Sequence, residues 1–218
     1  MAILDPIYSQ ALAIRLIPNV AEGYALQLGL QTNQKSLGLI TADNDDALYV
    51  SIDEATKKAD VSVVYAHSFY AGARHASGRL SGEIIAMLAG PNPAEVSAGL
   101  DAAEKYLTNQ AVWYSANEDG SIAFFSHVLS QTGSYLSGVC NIRLGSSVAY
   151  LVAPPLEGSF ALDAALKMAA VRIVSYTAPP SETNYMGAIL EGDQSACQAA
   201  ADAFRQAVLE VATNPIAY

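Results

Sequence analysis

Apolar positions in this chain fall into short β-branched or leucine-bearing runs that alternate with longer, Ala-rich stretches of helical period. Leu37-Gly38-Leu39-Ile40 leads into such a stretch, then come Val61-Ser62-Val63-Val64, a loop, the run from Glu83 to Leu88, and a long helix-like stretch to Leu107. Short apolar runs bounded by turn formers predict strands, and longer periodic stretches predict helices. The order recurs: Val148-Ala149-Tyr150-Leu151-Val152, an Ala-rich stretch, Val171 to Val174, Met186 to Leu190, and a stretch to Val211. Both long helices open after turn and N-cap chemistry, Gly90-Pro91-Asn92-Pro93 and Gly192-Asp193-Gln194-Ser195. An additional segment precedes each series, Ala11 to Val20 with Gly23-Tyr24-Ala25-Leu26, and Ile122 to Gln131 with Gly133-Ser134-Tyr135-Leu136.

The recurrence extends to residue identity. Ile52 to Val64 returns as Leu162 to Val174, an offset of 110, and Met87-Leu88-Ala89-Gly90 returns as Ile189-Leu190-Glu191-Gly192, an offset of 102. The second copy is therefore eight residues shorter between Val174 and Gly192, where the first carries Ser68 to Gly78. A self-similar chain points to quasi-symmetric assembly before it points to a catalytic pocket. The reading is α+β: two tandem domains, 1–109 and 110–218, each a mainly antiparallel sheet with helices on one side. The stretch 108–120 holds the boundary.

Composition narrows the classes. Hydrophobic residues make up 52% and charged residues 15%, which predicts apolar surface buried between chains and hence an oligomer. A formal charge of −10 with only 11 Lys and Arg argues against nucleic acid as a partner. No run of about 20 apolar residues predicts a membrane span, and Met1 to Pro6 lacks the basic start of a secretory signal, so a cytosolic protein is expected. Cys140 and Cys197 lack CxxC spacing and sit at non-equivalent places in the copies, as free thiols would.

Asp163-Ala164-Ala165-Leu166-Lys167 followed by a strand, and Gly192-Asp193 leading to Ala196-Cys197-Gln198-Ala199-Ala200 on a helix, resemble the signature of bacterial microcompartment shell domains. The whole chain is similar to the tandem, circularly permuted shell proteins of ethanolamine-utilisation compartments. The stretches that carry this are Ser36 to Asp46, Gly90 to Glu95, Gln131 to Leu136, Ala149 to Glu157 and Pro179 to Tyr185. The resemblance implies a homotrimer of tandem domains, a pseudohexameric disc that tiles with other shell proteins and carries gated pores. It also implies that Lys57 and Lys167 lie at the disc edge, although a solvated Lys is the plainer reading and Lys58 competes with Lys57. Loops 66–80 and 175–185, with Phe69, Tyr70, Arg74, His75 and Tyr176, would surround a central pore.

The densest polar feature is Asp43-Asn44-Asp45-Asp46, whose counterpart Ala153-Pro154-Pro155-Leu156 has no aspartate. That asymmetry suggests function, while a solvated turn accounts for the same residues. Ethanolamine is an ammonium with a hydroxyl, and its pocket needs carboxylates, an aromatic wall and a polar partner. By similarity to the family's pockets, which lie between the two domains, Asp45, Asp46 and Glu83 would hold it. Thr183 with Asn184 and Tyr185 would add bonds, the Ala153 backbone would close one side, and Trp113 would stand where relatives have Phe. A core Trp113 and a structural Glu83 are equally open. No cofactor is required; cobalamin, linked to the encapsulated lyase, and a divalent metal at the acids are the associations left open.

An enzyme is not expected. The acids match no calcium loop, there is no HExxH, GxSxG or Walker sequence, and His67, His75 and His127 lack ligand-spaced partners. The alternative to a shell tile is a soluble trimeric sensor of small amines.

Overall fold

The computed structural model describes residues 2–69, 78–181 and 183–217. Strand β1 (Pro6–Tyr8) opens the chain. The first series follows as β2 (Ala11–Ile17), α1 (Glu22–Gln27), β3 (Ser36–Ala42), α2 (Asp45–Lys58), β4 (Ser62–Ser68), β5 (Ile84–Gly90) and α3 (Pro93–Asn109). After β6 (Val112–Ser115) the second series runs β7 (Ala123–Leu129), α4 (Ser134–Val139), β8 (Val148–Ala153), α5 (Pro155–Met168), β9 (Arg172–Thr177), β10 (Met186–Glu191) and α6 (Gln194–Thr213).

Contacts divide the chain into an amino-terminal unit, Tyr8–Ala111 with Gly133–Leu136, and a carboxy-terminal unit made of the segment ending at Ile7, Val112–Thr132 and the chain from Ser137 onward. A single cut at 109/110 is thus crossed by two short segments, for identifiable reasons. Leu4 N–H donates to Ser115 O at 2.8 Å and seats the chain start beside β6, while Asp53 in α2 accepts the Gly133 and Leu136 N–H groups.

In the amino-terminal unit the strand order is β2-β3-β5-β4, antiparallel throughout, with β3 and β5 in register from Ser36 opposite Gly90 to Ala42 opposite Ile84. Leu48, Ile52 and Ala55 recur at helical spacing along α2 and are fully buried, joined in the core by Leu37, Ile40, Ile84, Leu88 and Leu107. Helix α3 crosses β3 at Gly38, where a Cβ would come within 2.8 Å of Val96 and Leu100. Asn44 caps α2 by accepting from Ala47 N–H at 2.8 Å, and Asn92 caps α3 by accepting from Glu95 N–H at 3.0 Å, with Pro93 in the first turn.

In the carboxy-terminal unit β7-β8-β10-β9 repeats the same order, and β6 and then β1 extend the sheet past β7. Phe124, Leu151, Met186, Leu190, Cys197 and Phe204 form the core beneath α5 and α6. Asp193 stands at the N-cap of α6 without a side-chain capping bond; its carbonyl accepts from Cys197 N–H at 2.9 Å. Cys140 and Cys197 are both free and buried.

Sheet register locates a difference between the repeats that a constant offset hides. Ser36 pairs with Gly90, and Ser147 accepts from Gly192 N–H, so β3 and the strand ending at Ala153 correspond at 111 positions, whereas the helix N-caps Asn44 and Pro154 lie 110 apart. Asp43 is therefore one extra residue in the first repeat, inserted between strand and helix.

Candidate functional site

Three acidic residues, Asp43, Asp45 and Glu83, lie near one another where β3 ends and β5 begins, in the amino-terminal unit. Asp43 follows β3, its N–H donating to Gln10 O at 3.2 Å and its Oδ1 accepting from Gln10 N–H at 2.8 Å. Asp45 opens α2 and is 6% exposed, with Oδ1 accepting from Asp46 N–H at 2.9 Å. Negative side chains are favoured at this end of a helix by its dipole. Glu83 lies directly across: its N–H donates to Ala42 O at 2.9 Å and its carbonyl accepts from Phe69 N–H at 2.9 Å. Gly82 makes this approach feasible, because its φ is +63° and a Cβ there would sit 1.8 Å from Ala42 O.

The electrostatics follow from this packing. Burial raises the Glu83 carboxyl to about 7, and the negative charges of Asp45 and then Asp43 add to the shift. Tyr49 lies one turn beyond Asp45 on α2, its Oη accepting from Ser68 N–H at 3.2 Å; burial raises its phenol, with Asp45 and Asp46 acting in the same direction. Tyr49 was not among the sequence candidates, although its spacing of four from Asp45 on one helix was the available signal. Among the described residues no group of three or more His, Cys, Asp or Glu side chains is arranged to hold a metal ion.

The remaining candidates belong to the carboxy-terminal unit. Ala153 ends β8, fully buried and paired with Met186. Nearby, Asn184 N–H donates to Ser181 O at 3.0 Å, Ser181 N–H to Tyr185 O at 2.9 Å, and Tyr185 N–H to Ser181 Oγ at 3.2 Å. Asn184 adopts φ +68° and is exposed, and Thr183 Oγ1 lies 3.3 Å from Ser181 Oγ. Trp113 is only 6% exposed, stacked on Phe125 and met edge-on by Tyr185, both at 5.5 Å between ring centroids. Tyr185 occupies the place in this repeat that Glu83 holds in the first, 102 positions on. One repeat thus carries a carboxylate group, and the other Pro154, Pro155 and a phenol.

A model of the BMC domain matches residues 36–116 and 156–217. The chain is 53% identical to the bacterial microcompartment shell protein EutL of Clostridium perfringens over 214 residues, 98% of this chain and 99% of that one. It is 53% identical to EutL of Salmonella typhimurium over 216 residues, 99% of each. The chain belongs to the EutL family of bacterial microcompartment shell proteins. The solved structure of the ethanolamine utilization protein EutL from Leptotrichia buccalis matches with a TM-score of 0.96 and 53% identity, covering 100% of both chains. The fold is accordingly two tandem BMC domains, and the protein is a structural component of a shell and not an enzyme. No helix among the described residues is long and apolar enough to cross a membrane.

Within this EutL-family frame the two repeated lysines differ sharply. Lys167 is exposed and pairs with Asp163 one turn earlier at 2.5 Å. Lys57 is largely covered: its Nζ lies 2.5 Å from Glu54 and 3.9 Å from the buried Asp53, whereas Lys58 reaches Glu54 at 3.5 Å and stays mostly exposed. Of the pore-loop candidates, Phe69 follows β4 and is half-buried, and Tyr176 lies in β9 and is exposed. Tyr70, Arg74 and His75 lie outside the described residues.

Proposed function

We propose that three copies of this chain close into one tile of the shell of an ethanolamine-utilisation microcompartment, and that the acid group of the amino-terminal unit takes the ammonium of ethanolamine. As a shell component the tile takes its place beside other shell proteins. Trimer formation is supported by apolar surface on the carboxy-terminal unit: Leu156, Phe160 and Met168 of α5 and Ile173 and Tyr176 of β9 are all exposed. Such a surface favours burial against a further copy. Phe69 and Tyr176 are proposed to border the tile's central passage. Full-length likeness to EutL shell proteins leaves the sensor alternative unsupported.

The observation that carries the amine reading is the asymmetry between otherwise matching repeats. The scaffold is shared, but only the first repeat inserts Asp43 and sets Asp45 and Glu83 against it, with Tyr49 alongside. A crowded carboxylate group gains by accepting a cation, and a primary ammonium with a hydroxyl satisfies both the charge and the neighbouring acceptors.

Titration calorimetry of ethanolamine into the purified protein, with its solution mass measured alongside, tests both parts. Saturable binding to a species of three times 22.9 kDa, lost in Asp45→Asn, is expected. A monomer would overturn the tile, and binding that persists in Asp45→Asn would overturn the site.

A further inference from the structure

Helices α1 and α4 have six residues each and start 112 positions apart. Two residues beyond them the backbone turns left-handed, at Gly29 with φ +64° and at Asn141 with φ +50°. The bonds from Leu30 N–H to Ala25 O and from Ile142 N–H to Ser137 O match as well, both at 3.0 Å. Ala21, and not Gly23, is therefore the counterpart of Gly133, and Tyr24 is the counterpart of Leu136. Helices α2 and α5, of fourteen residues each, correspond at 110 positions, which puts Asp163 in the place of Asp53, Phe160 in that of Val50 and Leu166 in that of Thr56.

This correspondence shows one contact made and its repeat left unmade. On α2, fully buried Asp53 accepts from Gly133 N–H at 2.6 Å and from Leu136 N–H at 2.9 Å, and Thr56 Oγ1 accepts from Ser134 N–H at 3.0 Å. On α5 the same face is bare: Asp163 is exposed beside Lys167, Leu156 is exposed, and Phe160 is 50% exposed where Val50 is 0%. On α1 the matching half is bare too. None of its residues is buried, Tyr24 is 38% exposed where Leu136 is 2%, and among the described residues the N–H of Ala21 meets no acceptor.

We propose that α1 of one copy docks on α5 of the next, with Asp163 accepting the N–H of Ala21 and Tyr24 covering apolar surface at Phe160 and Leu156. This rests on the three-copy tile above and names the surface that closes it. A chain that makes a duplicated contact once internally carries one spare half at each side. Copies joined head to tail satisfy every spare half when the ring closes. The second contact is not an exact repeat of the first. A Cβ on Gly133 would sit 2.5 Å from Asp53 O, and Ala21 has that methyl, while Leu166 lacks the hydroxyl of Thr56. Helix α1 therefore stands further from α5 than the 133–136 segment does from α2, and the larger Phe160 and Tyr24, in place of Val50 and Leu136, fill the added space.

Cysteines placed at Glu22 and Leu166 test the contact, because their counterparts Ser134 and Thr56 lie within hydrogen-bond reach and both native cysteines are buried. Glu22→Cys and Leu166→Cys chains produced together should oxidise to covalent pairs, and a chain carrying both substitutions to a covalent species of three chains. Each single variant produced alone should remain unlinked. Asp163→Ala should raise the protein concentration at which assembly is half complete at least about tenfold, and Lys167→Ala should leave it unchanged. A wild-type protein with the mass of three chains, together with no link between the co-produced variants and assembly unmoved by Asp163→Ala, would overturn the contact and leave the tile standing. A doubly substituted protein that links only within single chains would overturn the contact as well. A monomeric wild type would overturn both.

Discussion

The Asp53 carboxylate accepts the N–H of Gly133, 80 positions further along the chain, at 2.6 Å, and its second oxygen accepts from Leu136 N–H at 2.9 Å. Ser134 N–H donates to Thr56 Oγ1 at 3.0 Å, and the Tyr49 and Tyr135 rings stack at 6.2 Å. A fully buried carboxylate on α2 thereby serves the first N–H groups of α4, much as an N-cap would. Burial raises the Asp53 carboxyl; the two N–H donors and then Lys57 oppose the rise.

Replacing Asp53 by Ala strands two buried donors, and about 2–4 kcal/mol of stability should be lost. Gly133→Ala should cost about 2–3 kcal/mol, because the new Cβ would sit 2.3 Å from Thr56 Oγ1 and 2.5 Å from Asp53 O, which is backbone and cannot yield. Urea unfolding measures both, and losses under about 0.5 kcal/mol would contradict the role assigned to this contact.

Glu83 makes stability depend on pH with a definite sign. Its folded value of about 7 exceeds the ordinary 4.5, so between those values the folded state binds more protons than the unfolded one, and stability falls as pH rises. The full shift corresponds to at most about 3 kcal/mol, which solvent screening of a half-buried group reduces to about 1–2 kcal/mol. Glu83→Gln should stabilise the protein by that amount at pH 8 and have little effect at pH 4; equal stability of the two proteins at pH 8 would refute the assignment.

Gly82→Ala places a side chain at φ +63° and 1.8 Å from Ala42 O. Strain and clash together should cost about 2–4 kcal/mol and push Glu83 away from Asp43 and Asp45. Ethanolamine affinity should fall in parallel with thermal stability, and a variant with wild-type values of both would show that the approach is not required.

Lys167→Ala removes only an exposed pair with Asp163, so monomer stability should change by less than about 0.5 kcal/mol while lateral sheets at high protein concentration disappear. Lys57→Ala should instead cost about 1 kcal/mol, because Lys57 is largely covered and pairs with Glu54 beside buried Asp53. Electron microscopy and chemical unfolding separate the two effects. Sheets that survive Lys167→Ala would remove this residue from the tile edge.

The duplication, the strand and helix order of each copy and the cap at Asn92 were legible in the sequence, because periodicity and capping are local and depend on residues a few positions apart. The acids at 43–46 were legible for the same reason, as a charge run that the other copy lacks. What needed the tertiary structure was every relationship between distant residues. Strands β1 and β6 are too short to show a pattern, and their pairing depends on Leu4 and Asp5 meeting Ser115. The insertion of Asp43 became visible only once sheet register separated the strand offset from the helix offset. Asp53 and Lys57 repeat as Asp163 and Lys167, yet one pair is buried or covered and the other exposed, because Gly133 to Leu136 pack against the first pair alone. Sequence by itself determined which charges the chain carries and the order of its longer strands and helices. The fold decided which of those charges lose their water, and desolvation, absent from any local pattern, is what turns Glu83 from an ordinary acid into a group that holds its proton near neutrality.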